Sequence, residues 1–252
     1  MSDKTPNPSA GILWFILLTT LYFPIKYYRK SDETAVSFIY ILFVIAIEFF
    51  INFDLTKKIC ETGQLPTAIF VTAIPWILIF GVFNLMIMLF PGWLAPFSNT
   101  FGYGFVKIFG LSKLIYEIFK PKNTTNSDNK IQETLAQIYG NESLLINQIT
   151  PSNFEKFWDT SSILFKPSVN KDVLAGNTDL KDKLENFVRI KYFVSEYIWY
   201  ILLGTLITSA SFNYIINSGC NKPLSLMENN DKKLKDINTK FLNKKAKTVY
   251  KV

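Results

Sequence analysis

Glu48 is the residue best placed to do chemistry in this chain, because it is the single acid inside the apolar run Thr34–Phe53. A carboxylate about a turn and a half from the exit of a membrane span is either a working intramembrane acid or a group that snorkels or pairs with a neighbouring helix. Nothing beside it in sequence decides between the two. The other reactive side chains are two cysteines, Cys60 and Cys220, and there is no histidine. Without histidine the chain builds no His-based triad, no imidazole proton shuttle and none of the common zinc sets. Its carboxylates and lysines lie mostly in loops and in the tail, without a catalytic spacing. The expectation is a protein that is not an enzyme and carries neither cofactor nor metal.

Thr100-Phe101-Gly102-Tyr103-Gly104 shares letters with the T-V-G-Y-G filter of potassium channels, whose carbonyls replace the hydration shell of the ion. A filter needs a pore helix just before it, yet Pro91, Gly92 and Pro96 interrupt that stretch, and a proline inside a helix costs about 3 kcal/mol or more. No inner span follows, and Lys107 stands close behind. The preferred reading is a turn at the membrane surface through Pro96, Phe97, Ser98, Asn99 and Thr100, with Gly102 and Gly104 allowing a tight backbone and Phe101 and Tyr103 anchoring at the interface.

These residues must be positioned by elements that the apolar pattern defines. Charged residues make up 19% of the chain but are almost absent from Gly11–Ile25, Thr34–Phe53, Thr67–Phe90 and Tyr192–Ile216. Each run approaches the ~20 residues a bilayer core demands, so the class is a mostly α-helical polytopic membrane protein with about four spans. The first run lacks a cleavage-site pattern and is expected to stay as an anchor; Tyr22, Tyr27 and Tyr28 beside Lys26, Arg29 and Lys30 form a collar at its exit. Pro75 and Asn84 lie inside the third run, which is expected to kink and to offer one amide to a neighbouring helix or to water. Trp93–Phe119 mixes lysines with aromatics and reads as an interfacial amphipathic helix.

Five parts follow: membrane spans over 1–90, an interfacial or re-entrant segment over 91–120, a helical extramembrane domain over 121–191, a last span over 192–217 and a basic tail over 218–252. In the domain, Ile131–Tyr139, Phe154–Phe165 and Leu180–Ile190 read as helices, the second entered through Pro151-Ser152-Asn153 and the third capped by Asp179. Glu196, near the start of the last span, is expected to reach water. From Asn217 onward nine lysines oppose three acids, which gives the tail about +6 of the chain's net +7. Such a tail suits anionic lipid, nucleic acid or an acidic protein face, and it also suits a solvated disordered end.

Four spans put both termini, Asp54–Pro66 and both cysteines on one side, and Tyr103–Lys191 on the other. A Cys60–Cys220 bridge is geometrically open, with two free thiols the expected state if that side is cytosolic. Asn123-Thr124-Thr125 and Asn141-Glu142-Ser143 fit the glycosylation acceptor pattern and serve mainly as topology tests.

Two stretches carry more than composition. Pro91-Gly92-Trp93-Leu94-Ala95-Pro96-Phe97-Ser98-Asn99-Thr100-Phe101-Gly102-Tyr103 and Ser209-Ala210-Ser211-Phe212-Asn213-Tyr214-Ile215-Ile216-Asn217-Ser218-Gly219-Cys220 together resemble a family of multi-span membrane proteins of nucleocytoplasmic large DNA viruses that infect algae and protists. The resemblance covers about half of the chain, its membrane portions. It implies a structural component of the virion's internal membrane beneath an icosahedral capsid, a minor capsid role, and contacts with capsid or other virion proteins; a homo-oligomer is a separate expectation that the resemblance does not carry. The resemblance also implies a virus-encoded thiol oxidase, which favours a bonded Cys60 and Cys220. The competing readings are an ion-channel-like pore subunit using Gly102, Tyr103, Gly104 and Glu48, and a membrane assembly factor left out of the particle.

Overall fold

The computed structural model describes residues 8–29, 33–122, 128–218, 220 and 224–246. Lys30, Gly219 and the acceptor pattern at Asn123-Thr124-Thr125 lie outside them. Helices dominate, and among the described residues the extended pairing is a single bridge, Phe119 to Phe165.

The first two membrane helices are α1 (Ser9–Tyr28) and α2 (Glu33–Cys60). The third, α3 (Leu65–Leu89), contains a π-helical stretch at Pro75–Phe80. Proline has no N–H to give the ladder, and the wider winding absorbs that loss inside the span. The Asn84 amide nitrogen finds no partner among the described residues, so of the two expected takers, a neighbouring helix or water, no described helix residue accepts from it. A broken helical run over 91–108 follows, and then α4 (Leu111–Ile118), α5 (Asn129–Gly140), α6 (Glu142–Ile146), α7 (Phe154–Ser161) and α8 (Pro167–Leu174). The chain returns through α9 (Asp179–Asn217), 39 residues long, and ends in α10 (Leu224–Ala246).

Four of these helices, α1, α2, α3 and α9, are long and apolar enough to cross a bilayer. Their outward faces carry Leu13, Leu17 and Leu21 on α1, Phe38, Leu42 and Phe43 on α2, Ile77 and Met88 on α3, and Leu202 and Leu206 on α9, all exposed. Water tolerates no such girdle, whereas hydrocarbon is its natural solvent. Inside the girdle Phe15, Tyr22, Phe23, Trp76, Phe80, Tyr200, Leu203 and Ile207 form one packed core.

The extramembrane domain has a second core, built by Val106, Leu111, Leu114, Ile115, Ile118, Phe119, Leu135, Phe154, Trp158, Phe165, Leu184 and Val188. That core takes in Val106 and, from α4, Leu111, Leu114, Ile115 and Ile118, so the packing of the domain reaches further toward the N-terminus than residue 121. Tyr139 closes the domain by donating to the carbonyls of Phe119 and Lys120 at 3.1 and 2.8 Å. Burial, and then the stacked Tyr116, hold the Tyr139 hydroxyl above the usual phenol range, so it remains a donor.

Leu180–Ile190 and Tyr192–Ile216 were expected as separate helices, but α9 joins them without a break. At ~1.5 Å per residue it is a rod roughly 58 Å long, with Leu184 and Val188 in the domain core and Leu203 and Ile207 in the bundle core. Asp179 is its first residue rather than its cap; Thr178 takes that place, and its hydroxyl donates to Asp182 at 2.8 Å. Asn153 does precede α7 as expected, and it accepts from the Thr150 N–H at 2.7 Å.

Candidate functional site

Glu48 sits in the bundle with 1% of its surface exposed. The Thr208 hydroxyl donates to its Oε1 at 3.4 Å, and Oε2 has no hydrogen-bond partner among the described residues. Gly11 makes room for it: a methyl there would come within 2.8 Å of the Thr208 Cγ2 and 3.4 Å of Oε2. One turn further along α2, Asn52 donates to the Thr72 hydroxyl at 2.8 Å, and Ser211 donates to the Val71 carbonyl at 2.8 Å. These bonds tie α2, α3 and α9 together at one level. A half-open cavity of about 310 Å³ adjoins Glu48, with Asn52, Asp54, Lys58 and Thr208 among its lining residues. Asp54 and Lys58 pair at 2.6 Å one helical turn apart and are exposed, so the cavity faces the end of the bundle where α2 gives way to α3.

At the other end of the bundle lies an ion pair that sequence reasoning separated. Lys26 Nζ stands 2.5 Å from Glu196 Oε1, with side chains only 7% and 13% exposed. The ammonium also lies 5.9 Å from the Phe23 and Phe193 ring centres. Lys26 is therefore buried rather than an exposed collar cation, and Glu196 is paired with it while keeping a small part of its surface open. The true collar is outside it, where Tyr27 donates to Asn186 and Arg189 lies over the Tyr27 ring. Tyr22, read as part of the collar, is buried and stacks on Tyr40 at 4.0 Å. Between the Glu48 level and the Lys26–Glu196 level the bundle is filled by Phe15, Trp76, Phe80, Tyr200 and Leu203. Within this packed aromatic layer the Thr19 and Tyr40 hydroxyls pair at 2.9 Å.

Residues 96–104 are helical rather than turned. Ser98–Gly102 is π-helical and Tyr103–Ile108 is α-helical. The expected surface turn is corrected, and so is the filter geometry, because helical carbonyls point along the helix instead of ringing an ion. Phe101 is exposed while Ser98 and Gly102 are buried. Phe97 meets Trp199 at 5.8 Å, Thr100 bonds back to the Pro96 carbonyl at 2.6 Å, Asn99 is half-buried, and Tyr103 packs on the domain core beneath the Lys107 ammonium at 5.6 Å. Gly102 is needed for close approach: any side chain there would overlap the Lys191 carbonyl. Gly104 meets no such neighbour.

The second sequence stretch also divides into separate roles. Asn213 and Tyr214 are exposed, with the Tyr214 ring 6.2 Å from Phe70. Asn217 ends α9 and bonds its amide to the Asn213 carbonyl at 2.8 Å. These three residues converge on no common point with residues 96–103. Cys60 and Cys220 are bonded, with Cα atoms 5.4 Å apart. Free thiols, expected for a cytosolic side, are thus replaced by the bridge that was left open. It fastens the end of α2 to the chain just past α9, beside the small cluster of Leu55, Val71 and Ile215. Intact chain is expected to run faster on a non-reducing gel than after reduction, and Cys60→Ser to abolish that difference; maleimide labelling of unreduced chain at both cysteines would contradict the bond.

No group of three or more Cys, Asp or Glu side chains among the described residues is arranged to hold a metal ion. Fold and site together define a helical membrane protein with four candidate spans, two separate cores and an internal disulfide. No family model, curated protein or solved structure matches the chain.

Proposed function

We propose that the protein is a structural membrane anchor that holds a rigid helical domain on one face of a bilayer and a basic helix on the other. Its setting, in this reading, is the internal membrane of a large DNA virus particle, where the domain meets the capsid shell. The observation that carries the anchoring role is α9, one uninterrupted helix shared by the domain core and the bundle core. A domain mounted on a continuous rod cannot swing freely, which suits a spacer between membrane and shell and serves no obvious purpose in a mobile catalyst. The viral setting is supported by the sequence stretches over 91–103 and 209–220.

On the opposite face, α10 exposes Lys232, Lys233, Lys235 and Lys240, together with Leu234, Ile237 and Phe241 spaced three and four residues apart. A helix with this pattern lies on an anionic membrane surface with its apolar stripe downward. That is the preferred partner over nucleic acid, because the tail has little aromatic surface for stacking on bases. The packed aromatic layer between Glu48 and Lys26–Glu196 favours adhesion over conduction by a single chain.

The test is particle biochemistry. Gradient-purified virions should contain the chain, and removing the capsid should leave it with the membrane sac. Crosslinking before that step should join residues in 111–178 to a capsid protein. Absence from purified particles, with the chain present in infected-cell membranes, would instead identify an assembly factor and end the virion reading.

A further inference from the structure

A second cavity, of about 440 Å³, lies where the run 91–108, the loop after α6 and the entry of α9 into the bundle meet. Its polar lining comes from Ser98 and Asn99 on the run, Asn147, Thr150 and Ser152 on the domain, and Lys191 on α9. None of the lining residues is a carboxylate. Lys191 is only 2% exposed, and its ammonium donates to the Ile146 carbonyl at 2.5 Å. An ammonium has three donors, and a neutral carbonyl takes one without cancelling the charge. A buried cation with no anion close by is unfavourable unless an anion completes it. The opposite need stands beside it: Asn147 Oδ1 is buried with no donor among the described residues. The wall is built to hold Lys191 in place, since Gly102 presses directly on its backbone.

Position supplies the source of the anion. Trp93 and Trp199 approach each other at 6.4 Å on the run and on α9, and Tyr192 lines the cavity itself. Tryptophan and tyrosine mark the depth of lipid headgroups. Phe101, Phe105 and Ile108 on the same run, and Phe109 directly after it, are exposed and apolar, as a segment lying among acyl chains requires.

We propose that this cavity binds the phosphate group of a membrane phospholipid, with Lys191 as its cation and with Asn147 Oδ1 accepting from an N–H or O–H of the headgroup. Seated there, the lipid is a bolt between the interfacial run, the domain and the rod, and it fixes the height of the domain above the bilayer. The site follows from membrane placement alone and stands whether or not the protein belongs to a particle.

Delipidated full-length chain in detergent is titrated with dioctanoyl phosphatidylglycerol, dioctanoylglycerol without phosphate, and inorganic phosphate, reading intrinsic tryptophan fluorescence. Saturable binding of the phospholipid but not of the phosphate-free lipid is expected. Lys191→Met should weaken it about 10- to 100-fold, the range for losing a charged hydrogen-bond partner, and Lys191→Arg should keep most of it. If Lys191→Met fails to fold, Asn99→Leu, which narrows the cavity without touching the lysine, carries the same expectation. Undiminished phospholipid binding by a folded Lys191→Met chain overturns the site and leaves the lysine a structural partner of Ile146. Inorganic phosphate binding as tightly as the phospholipid overturns the lipid as the source of the anion.

Discussion

Gly204→Leu is expected to open the membrane bundle. The Phe15 ring lies directly on Gly204, so that a single added carbon on α9 would overlap the ring. Phe15 has nowhere to retreat, being 0% exposed and in ring contact with Trp76 at 5.4 Å, which in turn packs on Phe80 at 5.2 Å. In lipid, helices associate through close packing at small residues more than through any hydrophobic drive, so the loss of this contact is not made up elsewhere. Overpacking commonly costs about 1–3 kcal/mol, and a displaced aromatic belongs at the upper end. For a chain of this size that is a fall in Tm of roughly 6–12 °C, read from thermal unfolding in detergent by near-ultraviolet circular dichroism. Gly204→Ala should show part of the effect, and Phe15→Ala on the Gly204→Leu background should recover part of the loss. A Gly204→Leu chain as stable as the parent would mean that α1 and α9 do not pack through this crossing.

Gly204 also marks the limit of what the sequence could say. The spans were legible because charge disappears over Gly11–Ile25, Thr34–Phe53, Thr67–Phe90 and Tyr192–Ile216; α1 and α3 match their runs to within a few residues, α2 adds a polar stretch at its end, and α9 begins well before its run, at Asp179. Hydropathy averages over a window and is blind to one small residue at a crossing. The same blindness split α9 in two: Lys191 looked like a boundary, since a lysine inside a helix normally marks water, yet the run and the domain bury it. Gly102 was noticed for the wrong reason, through the letters around it, when its role is contact with the α9 backbone. Trp93–Phe119 was ambiguous because two functions overlap there. Phe101, Phe105 and Ile108 face outward, while Ser98, Gly102 and Val106, offset along the same turns, face the protein. Glu48 stood out as a lone acid, and the Thr208 and Gly11 that frame it are more than 35 residues away in both directions. Pairings over such distances leave no local trace in one sequence.

The second large effect is expected from the Lys26–Glu196 pair, and its signature is that two substitutions do less damage than one. Each partner is nearly sealed from water, so removing either leaves the other charge poorly solvated and without its opposite across the pair. Breaking one side of a buried pair typically costs about 3–5 kcal/mol, whereas replacing both by apolar or neutral groups of similar size is often close to neutral. Lys26→Met and Glu196→Gln are therefore each expected to destabilise the bundle by roughly that amount, and the double variant to return most of it. A thermodynamic cycle over the four chains in detergent would give a coupling that surface pairs, worth about 0–1 kcal/mol, do not reach. The pair joins the exit of α1 to α9 just where the rod leaves the membrane core, and Tyr27 reaches Arg189 and Asn186 about two and three turns above. Loss of the pair should then loosen the domain as well as the bundle, seen as faster amide exchange around residues 184–196 in either single variant. Additive effects of the two substitutions, with exchange there unchanged, would place the pair among ordinary surface charges and remove it from the device that holds the domain upright.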